Sequence, residues 1–234
     1  MRILGVIPAR GGSKRFPRKN IVPFLGRPAI VATIDAARES GVFTRWVVST
    51  EDEEIRAVAR NAGAEIDRRP SRLSTDAATI AEVALELLDR EEAAGRCYEA
   101  ICVLYATAVL RDAADIRATC ELLSPGTCDF AQAVCRYEHY AHQALQLQAG
   151  AFLFPMWPEV ADLRSSELPT LVCGNGSTYA ATVPAFRAER TFLGPRMRGY
   201  EMPRWKSVDL DYPDDLALAE FYATKMSVKN FSAA

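Results

Sequence analysis

Short apolar runs alternate with longer stretches of helical periodicity along most of the chain. Residues 2–8, apolar after Arg2 and ending at Pro8, predict a buried strand. Residues 28–40 place apolar side chains at helical spacing, with Pro28 suited to a first turn and Gly41 to a stop. A short strand follows at 46–49. Thr50 then reads as the N-cap of a helix with acidic residues at 51–54 in its first turn and Gly63 after its last. Further expectations are a strand at 64–66, an amphipathic helix at 75–94 stopping near Gly95, and a central strand at 100–105. A helix at 112–123 and an extended segment at 130–135 continue the series. Strands that alternate with helices predict an α/β fold, with a mostly parallel sheet flanked by helices on both faces.

The pattern breaks at about residues 136–170. Residues 143–148 alternate polar and apolar, and Phe152, Phe154, Met156 and Trp157 then crowd between prolines. The segment reads as an inserted arm within a single domain spanning 1–234, or as a long ordered loop packed on its own domain. An exposed aromatic cluster is a liability, so a partner subunit is the expected cover. A strand at 177–184 and a helix at 214–222 complete the reading.

Composition narrows the class. The chain has 234 residues, 49% of them hydrophobic and 25% charged, with a net charge of −2. That balance excludes general disorder and argues against a nucleic-acid binder, which shows a basic excess. No run is long and apolar enough for a membrane span, and the first residues lack a signal-peptide layout, so a cytoplasmic protein is expected. The six cysteines form no CxxC pair and read as reduced, core-packed thiols. His139 and His142 have helical metal-ligand spacing but no evident third ligand.

Segment 7–20 carries the strongest chemical signal. Gly11 and Gly12 follow the first strand, and Arg10, Lys14, Arg15, Arg18 and Lys19 crowd around them. Backbone amides and cations at the C-terminal end of a parallel strand suit a polyphosphate. The loop is neither a P-loop nor a GxGxxG fingerprint. On charge alone a solvated basic face is the competing reading. Far downstream, Asp209 and Asp211 lie two apart at the end of an expected short strand, which puts both carboxylates on one face. They suit a hard cation such as Mg²⁺, or form a solvated acidic turn ahead of a helix opened by Asp214 and Asp215.

Taken together, these segments resemble the CMP-sialic acid synthetase-like cytidylyltransferases, including the acylneuraminate and pseudaminic acid branches. Pro8, Ala9, Arg10, Gly12, Ser13, Lys14, Lys19 and Asn20 match a PARxGSKxxxxKN pattern in register. Residues 49–55 resemble an STDDEEI segment, and Arg69, Pro70, Leu73 and Asp76 an RPxxLAxD segment. Residues 104–108 are similar to YATAP, residues 164–169 to RSQDLP, and residues 208–215 to a DIDTPED stretch.

The resemblance implies a Rossmann-like nucleotidyltransferase fold with a small dimerisation arm, and a homodimer. It implies the reaction of CTP with a small acidic acceptor to give a CMP-acceptor and pyrophosphate. Arg10, Lys14 and Lys19 would be catalytic. Arg10, Ser13 and Lys14, with the backbone of Ala9, Gly11 and Gly12, would hold the phosphates. Lys19 would lie near the α-phosphate and Asn20 would orient the nucleotide. Arg69 and Thr79 are candidates for base and ribose, and Tyr105, Arg164, Asn175 and Tyr179 for the acceptor. Asp209 and Asp211 would bind Mg²⁺.

The acceptor side departs from the pattern. Gly174 stands where the pseudaminic branch has aspartate, and Ser177 and Thr178 replace its Gln-Phe pair. Ser166 replaces a glutamine, and Val109 and Leu110 replace Pro-Phe. Two acceptors fit these changes. One is a nonulosonic acid of sialic, pseudaminic or legionaminic type; the other is a small phosphonate such as phosphonoformate. A catalytically silent nucleotide-binding protein is the third reading.

Overall fold

The computed structural model describes residues 1–164 and 166–231. Ser165, in the segment similar to RSQDLP, lies outside the described residues. The elements run β1 (Ile3–Pro8), β2 (Pro23–Phe24), β3 (Arg27–Pro28), α1 (Ala29–Ser40), β4 (Arg45–Thr50), α2 (Glu53–Asn61), β5 (Glu65–Arg68) and α3 (Ile80–Ala93). Next come β6 (Ala100–Leu104), α4 (Ala113–Glu121), β7 (Phe130–Arg136), β8 (Leu145–Leu147), β9 (Leu153–Pro155), β10 (Val172–Thr182), α5 (Val183–Glu189), β11 (Met197–Glu201) and α6 (Pro213–Phe231).

Seven strands form one sheet in the order β11-β7-β10-β6-β1-β4-β5. β1 pairs in parallel with both β4 and β6, and β4 pairs in parallel with β5. β10 alone runs against its neighbours β6 and β7. The expected α/β, mostly parallel, Rossmann-like architecture is therefore what the chain adopts. β1 is buried at all six positions because both its faces are covered. Ile3 and Ile7 pack on one face with Ile30 and Ile34 of α1, Ile55 of α2 and Ile116 of α4. Leu4 and Val6 pack on the other with Leu85 and Leu88 of α3 and Phe186 of α5.

Several boundaries differ from the sequence reading, each for a local reason. Thr50 is the last residue of β4, held in the ladder opposite Arg68, and Asp52 is the N-cap of α2, accepting from Ile55 N at 2.9 Å. The helix expected from residue 75 starts at Ile80, where Thr79 and Glu82 close a capping box. Residues 74–78 are left as a loop that carries Asp76 toward the C-terminal ends of the strands. No strand forms at Asp209. Burial of Val208 and Leu210 still turns Asp209 and Asp211 to the same side, so the inferred orientation holds without a ladder.

The inserted segment carries a small exposed hairpin, called the arm below. β8 and β9 pair as a small antiparallel hairpin, and all six of their residues are exposed. Leu147 and Phe152 are 69% and 67% exposed, and Leu153, Phe154, Met156 and Trp157 are exposed as well.

Candidate active site

The sheet order reverses at β1, whose neighbours are the later strands β4 on one side and β6 on the other. Ligands bind at such a point, outside the carboxyl ends of the strands. A cleft of about 720 Å³ opens there. Its cationic wall comes from the loop after β1, through Arg10, Ser13, Lys14, Arg15, Lys19 and Asn20. Arg69, Asp76 and Thr107 face the same space, as do Asp209 and Asp211. Leu73, Ala78, Ile80, Val83, Tyr105, Ala106 and Tyr179 give an apolar flank, and Gly174 and Gly176 of β10 complete it.

The phosphate-loop candidates divide by role. Gly12 opens onto space, with nothing within 4 Å of where a Cβ would stand, so a ligand can approach the backbone there. A Cβ on Gly11 would lie 2.3 Å from Asp52 Oδ2, so only glycine fits against the acidic segment behind it. The Gly11 amide donates to Glu51 Oε1 at 2.8 Å, and the Ala9 amide donates to Ser49 O at 3.0 Å. These two amides therefore brace the loop from beneath rather than facing a ligand. Arg18, at φ 60°, donates to Asp52 Oδ2 at 2.6 Å and also reaches Glu54. Asn20 is buried, and its Nδ2 donates to Arg10 O at 2.9 Å, which ties the two ends of the loop together.

Two carboxylates stand among the remaining cations. Asp76 bridges Arg10 Nη1 and Lys14 Nζ, each at 2.6 Å. The hydrogen bond from Lys14, then that from Arg10, holds the Asp76 carboxyl below the usual range. Asp211 bridges Lys19 Nζ at 2.7 Å and Arg15 Nη2 at 3.0 Å. Arg15 also stacks over Tyr212, 5.4 Å from the ring centre. What joins the loop to residues more than 190 positions away is a small apolar cluster in which Phe16 meets Val208, Leu210 and Ala219.

Asp209 is the buried member of the acidic pair. Its Oδ1 has no hydrogen-bond partner. Burial pushes its carboxyl above the usual range, opposed by a hydrogen bond from Thr107 and by the charge of Lys19. Gly176, at φ +65°, makes the close approach possible, since a Cβ there would lie 2.6 Å from Asp209 Oδ2. A buried carboxylate with an unpartnered oxygen beside a second carboxylate has the chemistry of a divalent-cation site. Among the described residues, no three His, Cys, Asp or Glu side chains converge for a metal, so Asp209 and Asp211 offer a two-carboxylate site.

The remaining candidates are placed unequally. Arg69 is buried in the cleft wall, its Nη2 donating to Ser49 O at 2.7 Å, and burial lowers its pKa. Thr79 caps α3 and does not line the cleft. Tyr105 and Tyr179 meet edge to face at 5.5 Å, and burial pushes the Tyr105 hydroxyl up to about 12. Asn175 does not line the cleft: its Nδ2 donates to Ser207 Oγ at 3.0 Å. Arg164 sits on the exposed arm, where its amide donates to Glu167, away from the cleft of its own chain. Glu51 and Asp52 were visible in the acidic segment at 49–55, yet their bracing role depends on which strand lies beside β1.

Comparison with known proteins agrees with this geometry. Residues 4–154 match the family model described as Cytidylyltransferase. The chain is 33% identical over 221 residues to the pseudaminic acid cytidylyltransferase of Campylobacter jejuni, covering 94% of this chain and 95% of that one. It is 30% identical over 230 residues to the CMP-N,N'-diacetyllegionaminic acid synthase of Legionella pneumophila, with the same two coverages. Among solved structures, CMP:2-keto-3-deoxy-manno-octonic acid synthetase complexed with CTP superposes with a TM-score of 0.68 at 17% identity, over 97% of this chain and all of the other, a likeness of fold. The chain belongs to the cytidylyltransferase family.

Proposed function

We propose that the chain transfers CMP from CTP to a nonulosonic acid of pseudaminic, legionaminic or sialic type, releasing pyrophosphate. One observation carries the reading: the cations of the glycine loop and the Asp209–Asp211 pair line one cleft at the sheet's switch point. The relatives named above bear sugar-acid names, which favours the sugar acid over the phosphonate. The catalytically silent reading has no support in a site that keeps its cations and carboxylates together.

An acceptor oxygen attacks the α-phosphorus of CTP, and the bond to the bridging oxygen of pyrophosphate breaks. Arg10 and Lys14 would hold the leaving phosphates once the triphosphate displaces Asp76. Lys19 would neutralise charge at the reacting phosphoryl group, and it holds Asp211 through their ion pair. Asp209 and Asp211 would hold Mg²⁺, whose positive charge would offset that of the phosphates when bound. Tyr105 and Tyr179 form the flank against which the acceptor lies.

The active form in this reading is a homodimer in which a second copy covers the apolar arm. Sedimentation at micromolar concentration tests the dimer; a monomer overturns it. Pyrophosphate release from CTP tests the activity, with a pseudaminic, a legionaminic and a sialic acid assayed beside phosphonoformate. Release with phosphonoformate alone overturns the acceptor class, and release with none overturns the activity.

A further inference from the structure

The six cysteines are not alike. Cys102, Cys120 and Cys128 are buried, whereas Cys97 is exposed and on its own. Cys135 and Cys173 are half-buried and lie directly opposite each other where β7 pairs antiparallel with β10. Their Sγ atoms are 3.8 Å apart. Directly opposed residues in an antiparallel ladder have Cα atoms about 4.5–5.5 Å apart, inside the range of about 4.4–6.8 Å that a disulfide spans. The strand register therefore suits a bridge between them.

Their place in the fold gives such a bond a consequence. Cys135 is the penultimate residue of β7 and Cys173 the second of β10, so the chain between them contains the whole exposed arm. The pair sits at the neck of the arm, near the end of the β7–β10 ladder, where only Val172 and Arg136 pair beyond it. The next residue after Cys173 is Gly174, which lines the cleft. Tyr179, whose hydroxyl faces Gly174, also feels the charge state of Cys173.

We propose that Cys135 and Cys173 form an oxidisable dithiol whose disulfide staples the neck of the arm beside the acceptor end of the cleft. With a low-molecular-weight disulfide as oxidant, one thiolate attacks a sulfur of that reagent and forms a mixed disulfide. The second cysteine then displaces the remaining reagent thiol. The reagent's sulfur–sulfur bond breaks, one forms between Cys135 and Cys173, and two reagent thiols carry away the hydrogens. Burial, and then the neighbouring Cys135, raise the Cys173 pKa, so the exchange speeds up as pH rises toward the thiol range. Closing the neck removes freedom from the intervening chain, which is the usual effect of a cross-link. In a reducing compartment the bond would be transient and reversible.

The test uses the full chain carrying Cys97→Ser, which removes the exposed competitor. It is incubated with oxidised glutathione at mildly alkaline pH, alkylated and digested without reduction. The expected result is one linked peptide joining Cys135 and Cys173, reversed by dithiothreitol. Chymotryptic cleavage near Phe152, Phe154 and Trp157 should slow several-fold on oxidation. Cys135→Ser and Cys173→Ser, each tested alone, should abolish the slowing. Separate glutathione adducts on the two cysteines, or two thiols still open to alkylation, overturn the dithiol. Equal arm cleavage in the oxidised and reduced chain overturns the staple. The mapping is done without changing either cysteine, so its outcome does not depend on how the serine variants fold.

Discussion

Lys19 Nζ lies 2.7 Å from Asp211 Oδ1, although the two residues stand 192 positions apart. The contact ties the glycine loop to the segment ahead of α6, and it pairs the cation we propose for phosphate with a carboxylate we propose for Mg²⁺. Both side chains are partly buried, so the pair is less screened than a surface ion pair.

Removing Lys19 should therefore act on the chemical step. Lys19→Ala is expected to lower kcat by about 100-fold or more, with a smaller change in the KM for CTP. Lys14 is 83% exposed and reaches the site at its outer end, so Lys14→Ala should raise the KM for CTP as well. Steady-state kinetics with CTP varied at saturating acceptor measure both. Unchanged kcat in both variants would remove these lysines from the reaction.

Asp76 pairs with Arg10 and Lys14, the two cations we propose for the triphosphate. Asp76→Asn should leave Arg10 and Lys14 in place while removing the competing charge. The expected result is a KM for CTP lowered by about 2–5-fold, a small effect because the ion pairs are solvent-exposed. The gain should shrink as salt is raised. A higher KM in the variant would mean that Asp76 aligns the cations rather than competing for them.

Glu51 supports the loop from below. Its Oε1 accepts the Gly11 amide, while its buried Oε2 has no partner. Glu51→Ala leaves that amide unpaired, at a cost of about 1–3 kcal/mol of stability. It should also raise the KM for CTP, because the loop loses its fixed shape. Glu51→Gln keeps the carbonyl acceptor and should restore both the melting temperature and the KM. Thermal melts and CTP kinetics on the two variants check this, and equal loss in both would place the effect in the charge instead.

Much of this site was legible in the chain because it follows a strand-to-loop rule. The buried run ending at Pro8, the glycines after it and the cations around them are local features, and the sheet places them at its carboxyl end without further information. Asp209 and Asp211 were legible through alternation with Val208 and Leu210, even though no ladder forms there. Long-range partners were not legible. Whether Thr79 faces a ligand or caps α3 depends on Glu82 reaching back to it. Asn175 reads as a polar ligand until Ser207 and Met202 are seen beside it. The Cys135–Cys173 contact depends on the register of two strands 38 positions apart, which no CxxC spacing encodes.

Asp209 sets function against stability. Its pKa is raised by burial, so folding disfavours its ionised form. A carboxyl with a raised folded-state pKa favours the fold most below the ordinary Asp range, and that contribution is lost as pH rises through the folded-state value. At neutral pH without divalent cation, Asp209 is thus a source of strain that a bound cation would relieve. Asp209→Asn should melt at a higher temperature than the unchanged chain at pH 7 in the presence of a chelator. The difference should narrow as pH is lowered and Asp209 itself takes up a proton. The same variant should lose about 100-fold or more in turnover, and Mg²⁺ should no longer raise its melting temperature. Calorimetry across pH, with and without Mg²⁺, reads these effects. A variant that melts lower at pH 7, or that Mg²⁺ still stabilises fully, would refute the assignment of Asp209 to the cation.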